Sequence, residues 1–394
     1  MPRRKWLTPT VVVTAACLLL VLTVLAISNE GAMAFVVLGS RYSEGDPQGT
    51  EGYDGQFVYQ IALNPTAAAP YLDVPAYRYQ RILYPLLGRL LALGQPSLIP
   101  WSLVLLNIAA IGLGTWATER LLLHFRVGRW HALIYGLYGG QLVSLRTDLN
   151  EPLSQALVQV AMLTWLWGED KKGQRSETAG RRGDEGTRPP WRTMMTDYRL
   201  GAVVAFGLAG LAKETAFLFW AAYLLHCLVT RQWRWAMLLG LSIIPFAAYQ
   251  LLLWRWLGSF GIGSGGAGAT AFSLLPLGGW LSIAGVSFTA FLIISLIVVP
   301  MSIFPALAGI WLAGKSLRSG DIHPFVISLL LNSAVLLLLP ASTIREPVAM
   351  MRLTVGLVSA MLLYGAYTHH RRVLRYCWLW LFSNVLLVKG VAQS

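Results

Sequence analysis

The chain has 394 residues, of which 56% are hydrophobic and only 12% are charged. Soluble domains carry about 25% charged residues, so this composition excludes an ordinary soluble protein and requires lipid to cover much of the surface. The net charge of +13 could suggest a nucleic-acid partner, but the basic residues stand between apolar runs. Orientation in a membrane explains that placement better. The three cysteines lie far apart in apolar sequence, which argues against a disulfide framework.

Apolar runs with the length of a membrane-spanning helix recur along the whole chain. They cover residues 9–28, 98–118, 130–146, 152–168, 199–230, 235–257, 284–313, 324–341, 347–367 and 373–390. The run at 199–230 is too long for one crossing and is interrupted by Lys213 and Glu214. We therefore divide it into two short helices that meet at this point. The sequence predicts an all-α polytopic transmembrane bundle with about eleven spans, forming a single membrane domain over residues 1–394.

The first apolar run follows three basic residues, Arg3, Arg4 and Lys5, and no clear small-residue cleavage site comes after it. We interpret it as an uncleaved signal anchor that leaves the amino terminus in the cytoplasm. If the later spans alternate, most of the 31 Lys and Arg residues fall in cytoplasmic segments, as the positive-inside rule requires. The predicted location is a plasma (inner) membrane that the chain crosses many times.

Two polar segments interrupt the apolar pattern. Residues 168–197 are Gly-rich and mixed in charge, which is typical of a disordered cytoplasmic linker. Residues 258–280 begin with several glycines that superficially suggest a phosphate-binding loop. They follow no strand and open no nucleotide-binding domain, so we interpret this segment as a flexible outer loop.

The same topology places most of the remaining charged residues at helix ends on the outer side. A charge at such a position is expensive unless it is paired or lines a wet cavity. Several separate outer junctions carry both an acid and a base. We expect these junctions to converge on one polar cavity at the outer membrane face.

The longest outer segment, residues 29–97, contains the leading catalytic candidate, Asp54. The residues that follow it, including Phe57 and Ile61, suit a short helix that lies along the membrane interface. Asp54 could act only as the N-cap of this helix. It could also be a general base that removes a proton from an attacking hydroxyl, and the two roles are compatible. Glu51, three positions earlier, is a candidate second acid.

Two pairs of like-charged residues occur at a spacing of three. Arg78 and Arg81 would share one face of a helix, where they could bind a phosphate or pair with Asp73. Asp148 and Glu151, in the second outer loop, could cap a helix, orient an acceptor sugar or bind a metal. Two carboxylates alone are a weak metal signal, so no metal site is assigned and a divalent cation is left open.

Two later junctions also combine a base with an acid. Lys213 and Glu214 could neutralise each other, or Lys213 could contact a lipid-linked phosphate. Near the end of the chain, Arg345 stands beside the acid Glu346, and Arg352 follows within the next apolar run. Arginine suits phosphate because its planar fork binds two oxygens at once.

Four short segments together resemble the GT-C superfamily of membrane-embedded glycosyltransferases. They are Tyr-Asp54-Gly-Gln-Phe-Val, Thr-Asp148-Leu-Asn-Glu151-Pro, Leu-Ala-Lys213-Glu214-Thr-Ala, and Arg345-Glu346-Pro followed by Met-Arg352. The resemblance extends to the predicted topology, with a long first outer loop that carries interfacial helices, and residues 52–87 resemble a bacterial branch. Many members carry two acids flanking one residue in that loop, whereas the nearest acid to Asp54 here is Glu51.

The resemblance implies a sugar donor carried on polyprenyl phosphate, an acceptor that is a glycan, lipid or protein, and transfer on the outer face. The function that the sequence favours is an inverting hexosyl or pentosyl transferase with Asp54 as general base. Asp148 or Glu151 would place the acceptor, and cationic side chains would hold the donor phosphate and stabilise the leaving group. The predicted phosphate ligands are Lys213, Arg345, Arg352, Arg78 and Arg81.

Two alternatives remain open from the sequence. The first is a transporter or flippase for a lipid-linked sugar or another anion, which would use the same cationic cavity. The second is a non-catalytic assembly subunit. The polar groups gather on one face rather than at mid-membrane positions in both halves, which favours surface chemistry over transit.

Overall fold

A computed structural model describes residues 7–182 and 197–385 of the chain. Within these ranges every regular element is a helix and no strand occurs. The amino-terminal part contains α1 (Pro9–Ile27), α2 (Met33–Val36), α3 (Ser40–Ser43), α4 (Gly55–Leu63), α5 (Pro75–Tyr79), α6 (Leu83–Leu91), α7 (Ile99–His124), α8 (Ala132–Gly136), α9 (Gly139–Arg146) and α10 (Glu151–Arg182).

The remaining helices lie beyond residue 197. They are α11 (Tyr198–Ala212), α12 (Phe217–Val229), α13 (Trp233–Ser242), α14 (Ile244–Leu257), α15 (Gly278–Val286), α16 (Phe288–Val298), α17 (Phe304–Arg318), α18 (Pro324–Leu337), α19 (Ala341–Arg345), α20 (Pro347–Tyr367) and α21 (Arg371–Cys377). A π-helical segment, Val299–Ile303, joins α16 to α17, and a 3₁₀ helix, Trp378–Asn384, follows α21.

In the described part of the chain, five helical stretches are long and apolar enough to cross a membrane. They are Pro9–Ile27, Pro96–His124, Trp233–Leu257, Phe288–Arg318 and Pro347–Tyr367. Three shorter apolar stretches are Tyr198–Ala212, Glu214–Val229 and Pro324–Leu337. These helices indicate a membrane protein, and the larger count of about eleven spans stays a prediction.

The long helices differ in how deeply they are buried. Most of α7 and α20 is buried inside the bundle, whereas less than a third of α1 and of the stretches Trp233–Leu257 and Phe288–Arg318 is buried. Helix α10 packs along α7 and α11, and α18 packs against α12, α17 and α20. Large apolar side chains such as Leu19, Trp233 and Leu296 lie exposed on the peripheral helices. Apolar surface of this extent is typical of helices that face lipid.

Local sequence explains where several of these helices begin and end. Thr8 caps α1 by accepting a hydrogen bond from the Val11 amide, and Pro9 opens the helix. Asp197 caps α11 in the same way. Helix α14 ends at Leu257, and the φ of 75° at the following Gly258 lies in the left-handed region that favours glycine.

The division of the long run at 199–230 is confirmed. Helix α11 ends at Ala212, Lys213 is extended, and a 3₁₀ turn at Glu214–Ala216 leads into α12. The extended backbone at this point places two charged side chains at the junction rather than along a continuous helix.

The structure gives different helix bounds in two predicted segments. The run at 130–146 is not one continuous helix, because α8 and α9 are separate short helices and Tyr138 between them is extended. Helix α10 continues to Arg182, inside the predicted linker at 168–197, and the disorder of that linker stays a prediction. Glu, Lys, Gln and Arg in this segment are good helix formers. Residues 183–196 lie outside the described chain.

The segment between α1 and α7 contains five short helices, α2 to α6, and α4 buries Phe57 and Ile61 against the bundle. The segment from Gly258 to Leu277 has no helix, and its predicted end at residue 280 falls inside α15. Its backbone is tied to other segments. The Ala267 amide donates to Asp73 at 2.9 Å. Its flexibility stays a prediction.

Candidate functional site

Two close backbone contacts position the residues around Asp54. Gly52 has a φ of 65°, and a Cβ on it would lie 2.5 Å from the Gly39 nitrogen. A Cβ on Gly55 would lie 2.2 Å from the carbonyl oxygen of Thr147. Only glycine fits such approaches. The first loop therefore rests directly on the segment that leads into α10.

Asp54 occupies the N-cap position of α4, but its carboxylate makes no capping hydrogen bond within the described chain. Instead, Oδ2 accepts a hydrogen bond from Nη1 of Arg352 at 2.8 Å. Oδ1 lies 3.0 Å from Nη1 of Arg78. The interpretation of Asp54 as a simple cap is therefore wrong. Its carboxylate joins the first loop to α20.

The two guanidinium groups determine the charge state of Asp54. Burial on its own would raise the pKa of this carboxyl, but Arg352 and then Arg78 outweigh burial and lower the pKa to about 2. The side chain is still 27% exposed. Asp54 is thus an ionised and reachable carboxylate at neutral pH, and a weak base while both arginines hold it.

Glu151 is almost fully buried at the start of α10. Its Oε1 accepts from Nζ of Lys213 at 2.5 Å and from Nε of Arg352 at 2.7 Å. Arg352 therefore bridges a buried carboxylate and a partly exposed one. Breaking a buried pair of this kind leaves an uncompensated charge, which is strongly destabilising.

Arg78 and Arg81 each hold a second carboxylate. Nε and Nη2 of Arg78 donate to the two oxygens of Asp73 at 2.7 and 2.8 Å. Nε of Arg81 donates to Glu214 at 2.9 Å, and its Nη2 donates to the Tyr77 hydroxyl at 2.9 Å. The possibility that Arg78 pairs with Asp73 is confirmed.

Lys213 and Glu214 do not neutralise each other. Lys213 pairs with Glu151 on one side, and Glu214 pairs with Arg81 on the other. The extended backbone at Lys213 separates the two side chains. This junction therefore links α10 to the first loop.

Four carboxylates and four cations form this cluster, so its formal charges cancel. The members of the cluster are Asp54, Asp73, Glu151, Glu214, Arg78, Arg81, Lys213 and Arg352. Each cation is already paired with a carboxylate. The cluster is therefore not a vacant anion site, and an incoming phosphate must replace a carboxylate.

Tyr53 connects the cluster to Glu346. Its hydroxyl donates to Glu346 at 2.9 Å and accepts from Nη1 of Arg352 at 3.2 Å. The sequence assigned no role to this tyrosine, although it directly precedes Asp54 in the first motif. The sequence alone does not mark this hydroxyl as part of a site, because tyrosines are common at membrane interfaces simply as anchors.

Three of the predicted site residues, Glu51, Arg345 and Asp148, lie outside the cluster, and the first two are exposed. Glu51 forms an ion pair with Arg41 at the surface, and its side chain is 74% exposed. Arg345 is exposed, and it makes no ion pair with any residue that the structure describes. The structure therefore does not bring Glu51 next to Asp54 as a second acid, nor Arg345 next to Arg352.

Asp148 is buried close to the cluster but belongs to no ion pair in the described ranges. Its φ of 47° is left-handed, and neither carboxyl oxygen has a hydrogen-bond partner among the described residues. Burial raises the pKa of Asp148 well above its ordinary value, and Arg146 opposes only part of this effect. A neutral acid is the consistent form at this position.

Two small cavities flank Arg352. One of about 20 Å³ is lined by Asp54 and Arg78 among others. The other, of about 30 Å³, is lined by Glu151 and by side chains of α18. Each has room for one or two water molecules. Because small-molecule pockets usually measure about 300–1,000 Å³, a larger ligand requires the ion pairs to open.

A metal site is not evident in residues 7–182 and 197–385, where no group of three or more His, Cys, Asp or Glu side chains could hold an ion. Comparison of the chain with protein-family models, with curated proteins and with solved structures finds no match. The function must therefore be argued from the site itself.

Proposed function

We propose that this charge cluster is the active site of a glycosyltransferase that moves a sugar from a polyprenyl-phosphate donor to an acceptor hydroxyl at the membrane surface. The observation that carries the proposal is the position of Asp54. It is a partly exposed carboxylate held by two arginines, and both arginines could transfer to a phosphate. The resemblance of the sequence motifs to the GT-C superfamily supplies the donor class.

The resting ion pairs give donor binding a specific consequence. A lipid phosphate offers the fork of an arginine the same two-oxygen geometry as a carboxylate. When Arg78 and Arg352 turn to the phosphate, Asp54 loses the charges that lower its pKa. The carboxylate then becomes a stronger base at the moment when the donor is in place.

The chemistry needs one base and one anion site. The acceptor hydroxyl attacks the anomeric carbon, its proton passes to Asp54, and the bond from that carbon to the lipid-phosphate oxygen breaks. The electron pair leaves with the phosphate, where Arg78 and Arg352 stabilise the growing negative charge. No general acid is needed for this leaving group, and direct attack inverts the configuration of the sugar.

The buried members of the cluster take a positioning role in this proposal. Glu151 is 2% exposed and holds both Lys213 and Arg352, so we assign it to orienting Arg352 rather than to contacting the acceptor. Lys213 keeps Glu151 ionised by supplying a second positive charge. Asp148 is closed off from solvent and is not assigned to the reaction.

The direct test is sugar transfer in membranes supplied with radiolabelled polyprenyl-phosphate sugars. Asp54→Asn keeps the shape of the side chain but removes the base, and we expect it to lower transfer about 100-fold or more. Glu51→Gln is the matched control, because Glu51 lies three residues away and pairs with Arg41 at the surface. Transfer by the control should stay near the wild-type rate.

The amount of folded protein is measured for each variant by size-exclusion chromatography before rates are compared. Full transfer by Asp54→Asn would reject the role of Asp54 as base. An equal loss of sugar transfer in Asp54→Asn and Glu51→Gln would show that the cluster is no more important for transfer than the surface pair of Glu51 and Arg41.

A second function, translocation of a lipid-linked sugar or another anion, has one observation in its favour. Gln155 and Gln159 follow Glu151 at helical spacing along α10, both are buried, and both carry side-chain atoms without a partner among the described residues. Such a row of polar groups could line a path into the bundle. Movement of a labelled lipid across vesicles without consumption of the donor would favour this function.

A further inference from the structure

A hollow at the other end of α20 has a different electrostatic character from the charge cluster. Helix α20 has 21 residues, and at about 1.5 Å per residue it is roughly 30 Å long, which matches the apolar thickness of a bilayer. Arg352 lies in its second turn, and the hollow lies just beyond its last residue. The two features therefore face opposite ends of a membrane-length helix.

Two reversals of the chain form this hollow. Beyond α7 the chain turns at Arg126 with a φ of 55°, and beyond α20 it turns at His369 with a φ of 52°. The segments that follow pack against each other, since the rings of His131 and Trp378 have centroids 5.5 Å apart. A space of about 650 Å³ remains between them. This volume falls within the range of pockets that bind small ligands.

The lining of the hollow is strongly basic. It includes Arg126, His131, His369, Arg371 and Arg375, and no carboxylate contributes to it among the described residues. None of the three arginines forms an ion pair with a residue that the structure describes, and all three are exposed. In the charge cluster, by contrast, every cation already has an acidic partner.

The carboxylates on neighbouring segments have partners of their own. Asp321 accepts a hydrogen bond from the Tyr367 hydroxyl at 3.0 Å. Glu119 lies 3.5 Å from Arg129, and Asp170 lies 3.4 Å from His124. The positive charge of the hollow is thus not neutralised from within the described chain. Three guanidinium groups around one space create a positive potential that attracts an anion.

We propose that this hollow binds a phosphate-bearing anion, the headgroup of an anionic membrane lipid. Arginine forks match phosphate oxygens, and basic hollows at the ends of membrane helices attract anionic headgroups. Exposed apolar side chains in the adjoining segments, among them Trp130, Leu379 and Phe382, provide a surface for acyl chains. Free phosphate shares the headgroup chemistry, so the experiment must separate the two sources.

Binding is measured by calorimetry on the full-length chain in a neutral detergent. The probes are dihexanoyl phosphatidylglycerol, dihexanoyl phosphatidylcholine and inorganic phosphate. The test variant combines R126Q, R371Q and R375Q. The matched control combines R231Q, R318Q and R372Q, which removes the same charge from three exposed arginines that do not line the hollow.

We expect saturable binding of phosphatidylglycerol to the wild type and to the control, with Kd raised at least tenfold in the test variant. Weaker binding of phosphatidylcholine supports recognition of net negative charge. Phosphate binding that depends on the same three arginines, without lipid binding, would keep the anion site but overturn the lipid as its source.

Equal binding by the test and control variants, or equal binding of the two lipids, would overturn the proposal. If the triple variant does not fold, R375Q is compared with R372Q, since both residues are exposed on α21 and only Arg375 lines the hollow. The proposal requires a weaker lipid affinity in R375Q alone. This test is independent of sugar transfer.

Discussion

Arg352 donates a hydrogen bond to Asp54 at 2.8 Å, although 298 positions separate the two residues. Arg352 belongs to α20, and Asp54 belongs to the loop before α4. Contact between them requires the first loop to dock on the end of the bundle. The charge cluster therefore depends on the complete fold and not on any one segment.

Replacing Arg352 by Gln should be strongly destabilising. The change leaves Glu151 with only Lys213 and leaves Asp54 with only Arg78. Removing one partner from a buried ion pair costs about 3–5 kcal/mol. Thermal unfolding in detergent measures the effect, with Arg345→Gln as a control because Arg345 is exposed. A control loss as large as that of Arg352→Gln would contradict the bridging role.

The pair of Glu151 and Lys213 should show a strong energetic coupling. Each single change, Glu151→Gln or Lys213→Met, leaves a buried charge with one partner fewer. Residues that share a network usually couple by about 0.5–3 kcal/mol. Unfolding free energies of the two single variants and of the double variant measure this coupling. Additive losses would show that the 2.5 Å contact contributes nothing specific.

Asp148→Asn should change the dependence of stability on pH. Burial raises the pKa of Asp148 in the folded chain, whereas the unfolded carboxyl keeps its ordinary value. As pH rises above that ordinary value, the unfolded state loses a proton that the folded state keeps, so wild-type stability falls. Asparagine cannot ionise and removes this loss.

The Asp148→Asn variant should therefore be more stable than the wild type near neutral pH, and the difference should shrink as pH falls toward about 4. Melting temperatures of both proteins across that pH range give the comparison. A difference that does not vary with pH would show that Asp148 is not held neutral by burial.

Gly55→Ala should disturb the site without removing any charge. The new Cβ would lie 2.2 Å from the Thr147 carbonyl oxygen, so the first loop must move away from α10. We expect a loss of sugar transfer of at least tenfold, because Asp54 moves relative to Arg352. Gly240→Ala is the control, since nothing lies within 4 Å of its added Cβ. Unchanged transfer by Gly55→Ala would mean that this contact does not position Asp54.

The sequence contained enough information to predict part of the charge cluster. Lys213 interrupts an apolar run, and the cost of isolated charges at the other helix ends predicts that these acids and bases converge. Asp54, Glu151 and Arg352 do meet in the structure. Glu51 and Arg345 do not join them, because both side chains are exposed and a charge there does not require a place in a buried network.

The pairing of the charges could not be predicted from spacing. Lys213 and Glu214 are adjacent, yet each pairs with a different segment because the chain is extended between their helices. The burial of Asp148 without a hydrogen-bond partner among the described residues has no sequence signal either. It depends on a left-handed residue at the entry to α10 and on the side chains that close around it.

Composition and hydrophobic run length by themselves determined that this is a helical membrane protein, because lipid requires apolar surface and internally bonded backbone. The tertiary structure decided which carboxylate faces solvent, which is buried and which cation holds each of them. These outcomes depend on contacts between residues hundreds of positions apart, such as Arg352 and Asp54, and only the folded bundle brings such residues together.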